Sequence, residues 1–256
     1  GTIAGWARGD WSEEGNTRWH WWGDISIDSV EDVRFGYYDS RTASWDQIAH
    51  DAPYYLIVKS AGNNRNDNYS GPHMVRVDGE WTESDAFRRV GDPNGFDCLP
   101  TYSTSKNIMT IGAVRDVNGG YSGPSSVNMT SFSSWGPTDD GRIKPDIVGD
   151  GAGLLSANNS NATAYGRSSG TSMSGPNVAG SLLLLQELHR QMTGEFMLSS
   201  SLKGLAIHTA DEAGNPGPDY SYGWGLLNTE SAAEVLAQPL RHPFFQEELN
   251  PSDTFT

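Results

Sequence analysis

Ser172 stands within Ser168-Ser169-Gly170-Thr171-Ser172-Met173-Ser174-Gly175-Pro176-Asn177-Val178-Ala179-Gly180, a stretch whose residue types suit attack on a carbonyl carbon. Pro176 fits a first helical turn, where its missing N–H costs nothing, and the apolar run to Leu185 extends a helix that needs a protein interior on every side. A hydroxyl at the mouth of such a helix meets unpaired N–H groups and the positive end of the dipole. Both favour the oxyanion formed when a serine adds to a carbonyl. A second polar group lies upstream. Tyr54-Tyr55-Leu56-Ile57-Val58-Lys59-Ser60 has the short apolar pattern of a buried parallel strand and ends at Ala61-Gly62-Asn63. Alone, Gly-Asn after a strand is a turn. Ligands collect beyond the carboxyl ends of such strands, however, and an Asn amide donates a hydrogen bond with no change of protonation.

Gly170-Thr171-Ser172-Met173 followed by Ser174-Gly175-Pro176 resembles the nucleophile motif of the subtilisin-like serine proteases, the subtilases. Ser60 to Asn63, Asn107 to Val114, Phe132 to Ile147 and Tyr222 to Leu236 agree with that family in its order, so the resemblance spans about 175 of the 256 residues. It implies an α/β fold, a three-layer sandwich whose mostly parallel sheet is flanked by helices, incomplete at its N-terminus. It also implies that Ser172 is the nucleophile and that Asn63 is the side-chain donor of the oxyanion hole, beside the backbone N–H of Ser172. Ser60, Ala61, Gly62 and Thr171 are then substrate-binding, with Gly95 to Pro100 near the floor of the pocket. The implied substrate is a polypeptide, and the implied setting is secreted or extracellular. A lipase-like hydrolase is disfavoured, because Gly-x-Ser-x-Gly does not surround Ser172.

A serine needs an imidazole to take its proton and a carboxylate to orient that imidazole. The family supplies these from Asp-Ser/Thr-Gly and His-Gly-Thr, and neither motif is present. His20 and His50 precede Trp21 and Asp51, where the family has Gly, and Asp28-Ser29-Val30 lacks the Gly of the aspartate motif. His189 belongs to a helix end some four turns from Ser172. The favoured reading is a fragment whose partner is the missing N-terminal part of the same domain, in keeping with a first residue, Gly1, that is no initiator Met. Such a fragment alone has little or no activity. The rival is a non-catalytic module that binds a polypeptide or a glycan.

The elements that must place these groups are read from pattern. Residues 1–50, with six of the nine tryptophans, read as a Trp-rich insertion packed against the main sheet. Residues 64–100 are polar, with no sustained period, and read as a long surface loop. Asp67, Asp78, Asp85, Asp92 and Asp97 there could ligate a structural calcium, though no calcium-loop spacing is present and the chemistry needs no cofactor. Residues 107–114 form a strand, Arg142 pairs with Asp146, and Gly149-Asp150-Gly151 departs from the family's Ala-Pro-Gly. A hairpin occupies 153–161. The nucleophile helix runs to about Met192 with Gly194 as its cap, and further helices cover 199–209 and 229–236. The partial catalytic domain is thus 1–238, and 239–256 is a linker or the start of a following module. A net charge of −15 argues against nucleic acid or an anionic membrane as partner. There is no apolar run long enough for a membrane span and no basic-then-apolar leader. Cys98 is alone and reads as a buried neutral thiol.

Overall fold

The apolar segments Val58–Ser60, Met109–Val114 and Ile147–Asp150 pair as three parallel strands in the computed structural model, which describes residues 5–12 and 15–238. In chain order the elements are β1 (Trp6–Gly9), β2 (Arg18–Trp21), α1 (Ser40–Asp51), β3 (Val58–Ser60), β4 (Asn68–Tyr69), β5 (His73–Val77), β6 (Glu80–Ser84) and β7 (Arg88–Arg89). They continue with β8 (Met109–Val114), β9 (Ile147–Asp150), β10 (Leu154–Ala157), β11 (Tyr165–Ser168), α2 (Thr171–Thr193), α3 (Ser199–His208) and α4 (Thr229–Ala237). The parallel sheet has the order β3-β8-β9, and every residue of β8 is buried, as befits a central strand covered on both faces.

Helix α2 lies across all three strands, and α3 and α4 pack on α2. Val178, Leu182 and Leu185 from α2 meet Met109, Ile111 and Ile147 of the sheet, Leu202 and Leu205 of α3, and Ala232 and Leu236 of α4. Full burial of a Val or Leu side chain contributes about 1.5–3 kcal/mol, so this seam is the main anchor of the helix. The expectation that α2 is enclosed on every side is corrected: Leu183 and Leu184 are 68 % and 61 % exposed. The apolar run Leu182 to Leu185 covers more than one helical face, and only 182 and 185 turn inward. Helix α2 ends at Gly194, whose φ of 86° allows its N–H to close on the Arg190 carbonyl.

The strand expected over 54–60 is shorter, because Tyr54 and Tyr55 sit in an exposed turn and only 58–60 find a ladder partner. Residues 64–100 are not a loop. They supply β4 to β7, and β2 pairs in parallel with β5 to give a second sheet of order β1-β2-β5-β6. Trp21, Phe35, Val75, Val90 and Cys98 form its core with Trp6, Ile25 and Trp135, while α1 of the tryptophan-rich segment meets residues 102–107, with Trp45 stacked on Tyr102 and Asp46 accepting from the N–H groups of Lys106 and Asn107. Burial pushes the Cys98 thiol up to about 11, which keeps it neutral.

Asp146 does not pair with Arg142. It bonds Lys144 at 2.6 Å and Lys203 at 2.9 Å, while Arg142 binds Asp140 at 2.9 Å. Burial alone would raise the Asp146 carboxyl, but the two lysines outweigh it and hold it below the ordinary carboxylate range. Residues 239–256 lie outside the described residues.

Candidate active site

Small residues let the N-terminus of α2 settle onto the carboxyl ends of β8 and β9. Ser174 Oγ donates to the Gly112 carbonyl at 2.8 Å and lies 2.9 Å from that of Gly149. A Cβ at Gly149 would stand 2.7 Å from Val178 Cγ2, and one at Gly151 would stand 2.6 Å from Ala113 Cβ and 2.9 Å from the Gly170 carbonyl. Gly149-Asp150-Gly151 is thus a consequence of close helix–strand approach. The Gly170 N–H donates to the Gly151 carbonyl at 2.8 Å, which fixes the turn into the helix. The hairpin of β10 and β11 feeds that turn, and Ser169 Oγ accepts from the Gly153 N–H at 2.8 Å.

Gly170 precedes the helix with φ at 154°, and Ser172 is exposed in the first turn. Asn63, also exposed, comes to this turn from the end of β3. Its Oδ1 accepts from both the backbone N–H and the hydroxyl of Thr171, each at 2.9 Å. Thr171 Oγ1 in turn accepts from the Gly62 N–H at 3.2 Å. The backbone N–H of Thr171 sets the amide orientation, because reversing it would put an NH₂ against that donor. Asn63 Nδ2 is left as a donor.

The point where a Cβ on Gly170 would stand lies 3.3 Å from Asn63 Nδ2 and 3.7 Å from the Ser172 backbone nitrogen. One small region is thus flanked by an amide donor and a helix-terminal N–H beside an exposed serine. Any side chain at position 170 would occupy that region and would also need an unfavourable φ. Sequence reading missed this role of Gly170; the signal was a glycine directly before the helix start.

The proposed pocket residues sit differently. Ala61 is fully buried, with its N–H on the Ile111 carbonyl, and Thr171 is buried against Asn63. Ser60 is half-buried; its carbonyl accepts from Ser103 Oγ, and its Oγ lies 3.2 Å from a Gly175 Cβ position. Gly62, at φ 112°, lies under Pro100, whose Cδ would be 2.8 Å from a Cβ there, so the 95–100 segment does adjoin this strand end.

The described histidines are elsewhere. His20 is buried in the second sheet, edge-on to Trp11 and Trp81, and His73 accepts there from Arg88 Nε at 3.0 Å. Burial holds the His73 imidazole below its ordinary value, aided by the neighbouring Arg88. His50 is exposed on α1, His189 lies just before the last turn of α2, and His208 lies in the last turn of α3. A rise of about 1.5 Å per residue puts His189 roughly 25 Å from Ser172. The candidate calcium ligands do not converge. Asp67 binds Asn64, Asp92 holds its own turn through the N–H groups of Asn94 and Phe96, and Asp97 faces Asp139 across Gly36. Asp78 lies in the turn between β5 and β6, and Asp85 follows β6. Among the described residues no group of three or more His, Cys, Asp or Glu could hold a metal ion.

The model of the subtilase family matches residues 14–225, and the chain belongs to that family. It is 44 % identical over 91 residues to the C5a peptidase of Streptococcus pyogenes serotype M3, a match covering 36 % of this chain and 7 % of that protein. It is 32 % identical over 150 residues to the subtilisin-like protease SBT3.10 of Arabidopsis thaliana, covering 52 % of this chain and 19 % of the relative. The chain thus spans less than a fifth of the length of either. Among solved structures, the patellamide maturation protease PatA matches with a TM-score of 0.54 at 22 % identity, over 79 % of this chain and 58 % of PatA, a likeness of fold. A relationship to the subtilase-family serine proteases follows from the family.

Proposed function

We propose that this chain is the nucleophile-bearing part of a secreted serine endopeptidase, in which Ser172 attacks the scissile carbonyl. Ser172 Oγ forms a bond to the carbonyl carbon as its proton passes to a histidine base, and the carbonyl oxygen becomes an oxyanion between Asn63 Nδ2 and the Ser172 N–H. Collapse of that intermediate breaks the peptide bond; the leaving amine takes the proton and an acyl-enzyme remains, which water then hydrolyses. Asn63 is the catalytic oxyanion donor. Thr171 acts through it as a positioning residue, while the strand end at Ser60 and Gly62 borders the substrate and contributes chiefly backbone. The observation that carries this reading is the locking of Asn63 Oδ1 by Thr171, which leaves Nδ2 as a donor beside the serine.

The histidine and its carboxylate come, on this proposal, from a part of the domain outside this sequence. The exposed Leu183 and Leu184 farther along α2 support it, since an exposed apolar pair on a helix suits a further layer. The chain alone should then turn over peptide weakly or not at all. A fluorophosphonate probe tests the assignment: the whole encoded protein should give an adduct on Ser172, and Ser172→Ala should abolish both adduct and hydrolysis. Hydrolysis persisting in that variant would remove the assignment. The non-catalytic binding reading gains from one observation, the aromatic second sheet, and failure of the whole protein to react with the probe would favour it.

A further inference from the structure

Antiparallel pairing of β1 with β2 sets Trp6 opposite Trp21 and Arg8 opposite Trp19, so Trp6 and Trp19 emerge on one face of the sheet. The loop that leaves Asn63 passes that face. Tyr69 reaches Trp6 at 5.3 Å between ring centroids and Trp19 at 6.3 Å. The three rings, with Asn66, Asp67 and Asn68, line a cavity of about 290 Å³, room for one large side chain. The loop is braced in place: Asn66 Nδ2 donates to the Ser131 carbonyl at 2.6 Å, Asn64 Nδ2 donates to Asp67 Oδ2 at 2.8 Å, and the Asp67 N–H closes on the Asn64 carbonyl. Three peptide units separate Asn63 from Asn66, so the Cα of Asn66, a residue of the cavity lining, lies no more than about 11 Å from the Cα of Asn63.

We propose that this aromatic cage is a subsite for a basic side chain, arginine or lysine, of the polypeptide substrate, a few residues from the bond under attack. The proposal rests on the peptidase reading of Ser172 and Asn63. Ring faces carry negative quadrupole potential and attract cations, most strongly where water is displaced. Asp67 adds a half-buried carboxylate that no Lys or Arg pairs with among the described residues. Arg65, its near neighbour in sequence, is directed instead over Trp135, 3.4 Å from the ring centroid. Arg8 and Arg18 line the neighbouring depression with Trp19 and Glu83. The net charge of −15 draws cationic segments toward the molecule and repels acidic ones. A neutral apolar side chain would desolvate Asp67 with no compensating bond, whereas guanidinium or ammonium supplies one.

Binding to the Ser172→Ala variant of the whole encoded protein separates recognition from cleavage. The probes are fluorescein-labelled octapeptides in a neutral background with one arginine placed at successive positions, and matched peptides with citrulline, leucine or glutamate there. Fluorescence anisotropy should show one register in which arginine binds at least about tenfold tighter than citrulline, its neutral isostere, and that preference should vanish in Asp67→Asn and in Trp19→Ala. Circular dichroism checks that both variants fold, and Asp67→Asn alone suffices if Trp19→Ala does not. Equal binding of arginine and citrulline, tighter binding of leucine, a preference that survives Asp67→Asn, or displacement by a neutral oligosaccharide would each overturn the cage. Register-specific basic binding without any probe adduct on Ser172 in the wild-type protein would leave the cage standing and end the peptidase reading. Cleavage without basic preference would do the reverse.

Discussion

The sheet beneath Ser172 and the sheet of tryptophans differ in how their residues find one another. In the first, β3, β8 and β9 are short aliphatic strands covered by α2, and small residues at 112, 149, 151 and 175 let backbones approach. Its core contacts are aliphatic, and its buried polar groups fix the turn into α2 at one end and hold the Asp146 cluster with Lys144 and Lys203 at the other. In the second, β2 and β5 pair in parallel across some fifty residues, and the contacts are ring against ring: Trp6 with Trp21 at 5.0 Å on one face, His20 with Trp81 at 4.7 Å and Trp22 with Trp81 at 5.2 Å on the other. Arg76 lies over Trp81 and Trp22 on that second face. One sheet is organised to hold a helix end still; the other presents aromatic surface on two sides.

The largest effect expected from perturbing this contrast is on stability. Trp21 is fully buried at the centre of the aromatic sheet, so Trp21→Ala should cost about 3–5 kcal/mol. Hydrogen exchange should lose protection first in β1, β2, β5 and β6, while β8 and β9 keep theirs; uniform loss would show that the two sheets unfold as one.

Smaller, and confined to the other sheet, is Thr171→Val. It removes the hydroxyl that holds Asn63 Oδ1 and leaves the volume nearly unchanged. On the proposed mechanism, kcat of the whole encoded protein should fall roughly tenfold with KM little altered, because the interaction released would matter only in the transition state. A matching rise in KM would instead make Thr171 a ground-state contact.

The smallest effect concerns the junction of the two regions. Burial, reinforced by Asp139, Glu31 and Asp92, raises the Asp97 carboxyl from 3.8 to about 7. Its protonated form is favoured by folding, so this stability is fully present below about pH 4 and is lost as pH rises through 7. Asp97 adopts φ 55°, which Asn tolerates. Asp97→Asn should therefore raise Tm by roughly 2–6 °C at pH 8, after allowance for its partial exposure, and make little difference at pH 4. A constant difference across that range would contradict the account.

Legibility in the sequence followed the same division. The helix at 171–193, its glycine cap and strand 109–114 were readable because each rests on local pattern, and Asn63 meets the start of that helix through Thr171. The strands at 68–89 were not, because β4 and β7 have two residues each and β5 alternates weakly before a polar β6. Their partners are distant, and nothing local announces a parallel pairing of 18–21 with 73–77. The ion pair assigned to Arg142 failed for a related reason. Lys203 reaches Asp146 from α3, a neighbour that sequence spacing does not reveal.

The convergence of Asn63 and Ser172 on one oxyanion position is tested most directly by the rate at which a fluorophosphonate modifies Ser172 in the whole encoded protein, wild type against Asn63→Ala. The account predicts a single adduct on Ser172, formed about 10²–10³-fold more slowly in the variant, a magnitude carried over from subtilisin's own oxyanion asparagine. An adduct on another serine, or equal rates in the two proteins, would contradict it.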